Sequence, residues 1–341
     1  MTQSCKNFTY VQPTNKFFSH AYIITQQNMQ KSQRTLFPIQ DEESWAFYKK
    51  QRDSFWFPSE IDLSDEASSL NLMNETDKNV LLHILAFFAG SDAVVNEKLA
   101  LSLYEDAPTA EACMFYSMQM GIEAIHQETY NLLIDSMIID KNVKNNLFDS
   151  VNTMPCIKAK AEWFDKESTG SHAKRLFVQA IVEGIMFSAS FAYIYYIKQT
   201  SRFGGKFPGL CHSNDFIARD EGLHRDFSIM LYKRTSKLDE NTAFKLIQEA
   251  VSLEHKFIHD AFNEKGMLGL NAKMLCDYVE FCADHLLKSA GHNACFKMTN
   301  PLDFMERISL DSKKNFFEQR VAEYVVPPSL QRSELSFDAD F

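Results

Sequence analysis

Two short patterns in this sequence set a carboxylate and an imidazole one helical turn apart: Glu123-Ala-Ile-His126 and Glu221-Gly-Leu-His224. At that spacing both side chains lie on one face of a helix and can grip one ion. One such pair is weak evidence, because short patterns recur by chance. Here they are the only two Glu-x-x-His pairs in the chain, and two further acids stand where a core should be. Asp92 shares its helical stripe with Leu85, Phe88, Ala89, Val95, Asn96 and Leu99. Glu183 shares one with Leu176, Gln179, Ala180, Met186, Phe187 and Ser190. Burying an unpaired carboxylate costs several kcal/mol, so each acid needs a cation, a metal or a proton. Four carboxylates and two neutral imidazoles balance two divalent cations. Mixed oxygen and nitrogen donors suit iron or manganese, whereas a structural zinc is redox-silent and usually takes four ligands. The reading is a dinuclear, redox-active site.

Long helices must position these groups. The chain has 341 residues with only 11 Gly and 9 Pro, and Pro108, Pro155 and Pro208 are the only prolines between residues 59 and 300. Stretches so free of helix breakers favour an all-α fold. The periodicity predicts helices over 42–53, 75–105, 108–138, 142–150, 172–199, 211–235, 239–264, 271–292 and 313–323. Asn74 is the expected cap of the second. Gly204-Gly205 and Pro208-Gly209 punctuate the link between two of the longest. With one acid on each of two helices and a Glu-x-x-His on each of two others, the expected architecture is a ferritin-like di-iron carboxylate helical bundle with extra helices.

Composition narrows the function. Lys plus Arg is 35 and Asp plus Glu is 45, a formal net charge of −10, which argues against nucleic acid as a partner. Apolar residues make up 45% and charged residues 23%, as in an ordinary globular protein. The 7 Cys include no C-x-x-C pair; they read as reduced thiols in a reducing compartment. The most apolar run, Gly184 to Ile197, is short and bounded by Glu183 and Lys198, so no membrane span is expected. Residues 1–35 hold no acid and read as a disordered polar arm. Residues 325–341 follow with Pro327-Pro328 and end in an acidic-aromatic string, a flexible tail. The span 36–324 is the expected helical domain.

The order Asp92, Glu123/His126, Glu183, Glu221/His224 resembles the small, radical-bearing subunit of class I ribonucleotide reductase, eukaryotic-type. Local strings match as well: Ser54-Phe-Trp56, Leu85-Ala-Phe-Phe-Ala-Gly-Ser-Asp92, Val182-Glu-Gly-Ile-Met-Phe187, Arg219-Asp-Glu-Gly-Leu-His224, Asn315-Phe-Phe-Glu-Gln-Arg-Val321 and the terminal Asp338-Ala-Asp-Phe341. The resemblance covers roughly residues 35–341. It implies two iron ions per chain, oxo-bridged when oxidised, with manganese as the alternative metal. It also implies that, after reaction with molecular oxygen, Tyr130 is oxidised to a stable radical inside an apolar pocket of Phe187, Phe191 and Ile217. Trp56, Asp220 and His126 match the family's hydrogen-bonded chain leading away from the metals, and Tyr324 matches its relay tyrosine at the subunit interface. The implied partners are a second copy, forming a homodimer, and a large subunit that reduces ribonucleoside diphosphates to deoxyribonucleotides in the cytoplasm. Leu335, Phe337 and Phe341 are the expected anchors for docking to it. Leu335 and Phe337 stand in the reverse of the usual order for this tail.

Other readings use the same bundle. A di-iron oxygenase or desaturase needs a substrate channel and no docking tail. A non-enzymatic partner protein would have no need of the complete ligand set. An iron store would be shorter and lack the tail.

Overall fold

The computed structural model describes residues 36–200, 202–203, 205–263 and 269–305. Among them every regular element is helical, with no strand. In chain order these are α1 (Glu42–Asp53), a short 3-10 turn (Pro58–Glu60), α2 (Glu66–Asn71), α3 (Glu75–Lys98) and a π turn (Leu99–Leu103). Then come α4 (Ala110–Met137), α5 (Lys141–Phe148), α6 (Ser150–Thr153), α7 (Pro155–Glu167) and α8 (His172–Ile181). A second π turn (Val182–Met186) leads into α9 (Ser188–Gln199), followed by α10 (Pro208–Lys233), α11 (Glu240–Phe262) and α12 (Ala272–Ala290).

Local chemistry sets the helix starts. The side chains of Asn74, Thr109, Ser171, Asp239 and Asn271 each accept a backbone N–H from the first turn of their helix, satisfying donors that have no partner within the helix. Gly291 closes α12 at φ 84°, a left-handed end that glycine adopts without steric cost.

Two helix pairs form the heart of the bundle: α3 packs on α4, and α8 with its π turn packs on α10, which also meets α4. Helices α1, α7, α11 and α12 wrap this centre. The apolar stripes read from the sequence face one another, and Leu81, Leu85, Phe88, Phe115, Ile122, Leu176, Phe177 and Phe227 are fully buried between them.

The structure corrects several expectations. The helix expected over 172–199 is present as one long helix, whose α-helical run is interrupted by the π turn at Val182–Met186. α10 begins at Pro208 rather than 211, because proline at the first helical position loses no bond. α2, α6 and α7 were not foreseen; Pro155 reads as a breaker but opens α7 at its first residue. Two helices, Glu75–Leu103 and His172–Gln199, are long and apolar enough by composition to cross a membrane. In the second, 94% of the most apolar window is buried inside the bundle, so its apolar character serves the protein's own core. The arm 1–35, the helix expected at 313–323, Tyr324 and the tail anchors Leu335, Phe337 and Phe341 lie outside the described residues.

Candidate metal centre

Asp92 is carried by α3, Glu123 and His126 by α4, Glu183 by the second π turn, and Glu221 and His224 by α10. All six are buried. Donor atoms of Glu123, Glu183, Glu221 and His224 lie within 4.8 Å of one another, and so do those of Asp92, Glu123 and His126. Glu123 belongs to both groups, which makes two adjoining ligand sets joined by a shared carboxylate. Both imidazoles turn Nδ1 inward. His126 Nδ1 lies 3.1 Å from Glu221 Oε1 and 3.3 Å from Glu123 Oε2. His224 Nδ1 lies 2.9 Å from Glu123 Oε1 and 3.2 Å from Glu221 Oε2.

The electrostatics test whether these residues fit a pair of cations. Burial, then the charges of Glu123 and Glu221, push Asp92 well above the ordinary carboxylate range. Burial and Glu221 do the same to Glu183. Burial opposes charge on both histidines, yet the surrounding carboxylates win: His126 is raised well above its usual value and His224 to about 9. Glu221 is held low despite its burial, by hydrogen bonds with Glu183, His126 and His224. The site therefore gathers protons onto two acids and two imidazoles to offset its own negative charge. Divalent cations do that without protons. Asp92 Oδ2 and Glu183 Oε2 are buried without a hydrogen-bond partner, as expected of atoms meant for a ligand. The residues fit a dinuclear metal site.

The outward nitrogens of the two histidines meet different partners. His126 Nε2 faces Asp220 Oδ2 at 3.4 Å, and the same oxygen accepts the Trp56 indole N–H at 2.8 Å. Arg219 donates to the other oxygen of Asp220 at 2.7 Å and 2.9 Å. Burial raises Asp220, but Arg219, His126 and Trp56 outweigh it and hold the carboxyl below its usual range. The Trp56 ring lies stacked beside His126, with centroids 6.1 Å apart. The structure thus brings together Trp56, Asp220 and His126. His224 Nε2 instead meets the buried side-chain amide of Gln51 at 2.6 Å. With Nδ1 turned to a metal, Nε2 carries the proton; a half-turn of the amide brings the otherwise unpartnered Gln51 Oε1 onto it. Gln51 was not foreseen. Its sequence signal is only a polar residue on a mixed helix.

Tyr130, one turn beyond His126, is buried and its hydroxyl has no hydrogen-bond partner. Burial, then the charges of Asp92, Glu221, Glu123 and Asp220, drive its phenol far above the usual value. The ring lying against it is Phe88, stacked at 4.5 Å between centroids. Phe88 in turn contacts Phe187 at 5.6 Å and Phe191 at 5.4 Å. Ile217 is fully buried on α10, one turn before Glu221. The expected Phe187 and Phe191 therefore stand behind a ring that the reading of the pocket left out, although Phe88 lies on the Asp92 stripe one turn away.

A helical bundle that folds four carboxylates and two imidazoles inward around a shared glutamate is a ferritin-like protein with a place for a metal pair. The family description "Ribonucleotide reductase, small chain" matches residues 33–301, and the chain belongs to the ribonucleotide reductase small-chain family. The ribonucleoside-diphosphate reductase small chain of Vaccinia virus (strain Ankara) is 43% identical over 311 residues, covering 90% of this chain and 96% of that protein. The ribonucleoside-diphosphate reductase subunit M2 of Danio rerio is 41% identical over 313 residues, covering 90% of this chain and 80% of that protein. Among solved structures, the Rnr4 homodimer from Saccharomyces cerevisiae superimposes with a TM-score of 0.73 at 27% identity, covering 86% of this chain and 99% of that one. Membership of this family sets aside the iron-storage, oxygenase and desaturase readings.

Proposed function

We propose that this chain generates a tyrosyl radical at Tyr130 and passes it to a large subunit that reduces ribonucleoside diphosphates. The observation that carries the reading is the placement of Tyr130: a buried phenol with no hydrogen-bond partner, shielded by Phe88, beside a cluster of six ligand residues. Asp92, Glu123, His126, Glu183, Glu221 and His224 would hold two iron ions, or manganese in their place. When bound, such a pair supplies one-electron oxidising power drawn from molecular oxygen.

The chain's own residues do the rest. Tyr130 gives up an electron and its phenolic proton. Both would pass to the oxygen-derived oxidant that the metal pair supplies when bound, and Asp92, whose charge weighs most on Tyr130, would itself be held as a metal ligand. Phe88, with Phe187, Phe191 and Ile217 around it, keeps water and thiols from the resulting neutral radical. His126, Asp220 and Trp56 form the hydrogen-bonded path by which an electron enters or leaves, and Tyr324 continues it toward the partner. Leu335, Phe337 and Phe341 dock the tail on the large subunit. The chain acts as a homodimer in the cytoplasm.

The test is electron paramagnetic resonance with visible absorption on iron-reconstituted, oxygen-exposed protein. A tyrosyl signal is expected. Protein that takes up two metals but yields no radical under these conditions overturns the proposal. Removing residues 333–341 is expected to leave the signal and abolish turnover with the large subunit.

A further inference from the structure

Among the described residues outside the metal cluster, one other charged pair is fully enclosed. Lys160 on α7 and Glu254 on α11 are 2% and 0% exposed, and Nζ lies 2.5 Å from Oε2. The ammonium sits over the faces of two rings, 3.3 Å from the Phe87 centroid and 4.4 Å from that of Phe257. Glu254 Oε1 has no hydrogen-bond partner. Such a pair gives little net stability, because desolvating two charges consumes most of their attraction, and apolar residues of similar volume often serve as well or better. Its presence asks for another reason.

A further partner of Lys160 supplies one. Nζ donates to the carbonyl of Met186 at 2.9 Å. Met186 is the last residue of the π turn that carries Glu183, and α9 starts its own ladder one residue later, where Phe191 N–H donates to Phe187 O. The Met186 carbonyl lies at the junction of two helical geometries, the place where a backbone group is most easily left without its ladder partner. A lysine reaching across from α7 and held by a carboxylate on α11 fixes that junction from outside. On the inside face, the Gln119 and Gln179 amides donate to Glu183 Oε1 while Oε2 stays unpartnered. The π turn is thus held on one side by Lys160 and presents a carboxylate on the other.

We propose that Lys160, anchored by Glu254, is a positioning residue: it pins the Val182–Met186 π turn so that Glu183 keeps its carboxylate directed into the metal cluster. This rests on the reading of that cluster as a dinuclear site. It separates two functions that usually coincide, since the pin should matter more to metal geometry than to folding.

The experiment is a cobalt(II) titration of the metal-free full-length protein, read by visible absorption and compared with thermal unfolding of the same samples. In the Lys160→Met/Glu254→Leu double variant, apolar chains fill the space of the pair. Its unfolding temperature is expected to stay near that of wild type, while the second cobalt binds at least about tenfold more weakly, with an altered spectrum. In Glu254→Gln, Nζ keeps a hydrogen-bonding partner and the bond to Met186, so the titration is expected to match wild type. Wild type that takes up two cobalt ions, with a folded double variant of identical spectrum and affinity, overturns the pin alone. Wild type that takes up fewer than two overturns the metal reading and the pin with it. If the double variant does not fold, Lys160→Met/Glu254→Gln replaces it, which removes the bond to Met186 and leaves no unpaired charge; a titration indistinguishable from that of wild type overturns the proposal.

Discussion

The two Glu-x-x-His halves of the centre are alike in sequence and unlike in surroundings. Both turn Nδ1 inward toward Glu123 and Glu221. Outward, His126 meets a carboxylate that is tied to Arg219 and to the indole of Trp56, whereas His224 meets the neutral amide of Gln51. A carboxylate raises the basicity of a ligating imidazole and stabilises positive charge on it, while an amide only fixes the ring's orientation. One half therefore connects the cluster to a path of charged and aromatic groups, and the other closes it. The same motif meets two environments because each is set by a residue outside the motif.

Breaking what the halves share should have the largest effect. Glu183→Ala removes one of four charges that balance the metals, and elemental analysis should show the stoichiometry falling from two per chain to one or none. One tightly held zinc per wild-type chain would contradict the dinuclear reading itself. Tyr130→Phe comes next. It should erase the radical signal entirely with metals retained, and unfolding should shift little, since the hydroxyl has no hydrogen bond to lose. A signal of unchanged shape in that variant would place the radical elsewhere.

Smaller changes test the asymmetry directly. Asp220→Asn makes the His126 half resemble the His224 half. Turnover with the large subunit should fall about 10–100-fold, with both metals still bound. Gln51→Ala removes only an orienting contact, so metal affinity should weaken by less than about tenfold and turnover per metal-loaded chain should hold. Equal losses in the two variants would show that the halves are interchangeable.

The smallest effect is that of pH on the metal-free protein. His224 is raised to about 9 when folded, against about 6.5 unfolded. Its contribution to stability is complete below pH 6.5 and is lost as pH rises through about 9. Asp92 and Glu183, also raised, act in the same direction. Thermal unfolding of metal-free protein should therefore move to lower temperature across pH 6.5–9, while metal affinity rises as the imidazoles shed protons. An unfolding temperature that climbs over this range would show that the histidines are not held protonated.

Much of this was legible in the sequence because ligand chemistry and helical period coincide. An acid on an apolar stripe is a conflict that only a partner resolves, and Asp92 and Glu183 each posed it; Glu123 and Glu221 were marked instead by the histidine one turn beyond each. Gln51 and Phe88 posed none. A glutamine on a polar helix and a phenylalanine on an apolar one are what those positions ordinarily hold, and only three-dimensional proximity gives them meaning. The π turn was hidden for a related reason: its residues, Val182 to Met186, suit an α-helix as well as a π turn, and tertiary packing decides between them. Gly184 shows that packing, since a Cβ there would come within 2.7 Å of Arg225 and 2.8 Å of Leu286.

That π turn also makes the helix pair α8–α9 a matter of phase. In an α-helix each residue advances the face by about 100°. A π turn takes up one extra residue, so the segments before and after it keep faces that an unbroken helix would not align. Gln179, before the turn, contacts Glu183, and Phe187 and Phe191, after it, reach Phe88 beside Tyr130. Forcing all the residues from 182 to 186 into α-helical geometry, with none removed, would rotate one segment against the other by about 100°, whereas deleting one of them would heal the ladder and leave the two faces aligned. In the forced helix, Glu183 and the Phe187–Phe191 face could no longer both point inward. The geometry of this segment, counted in single residues, keeps the carboxylate cluster and the rings beside Tyr130 in register.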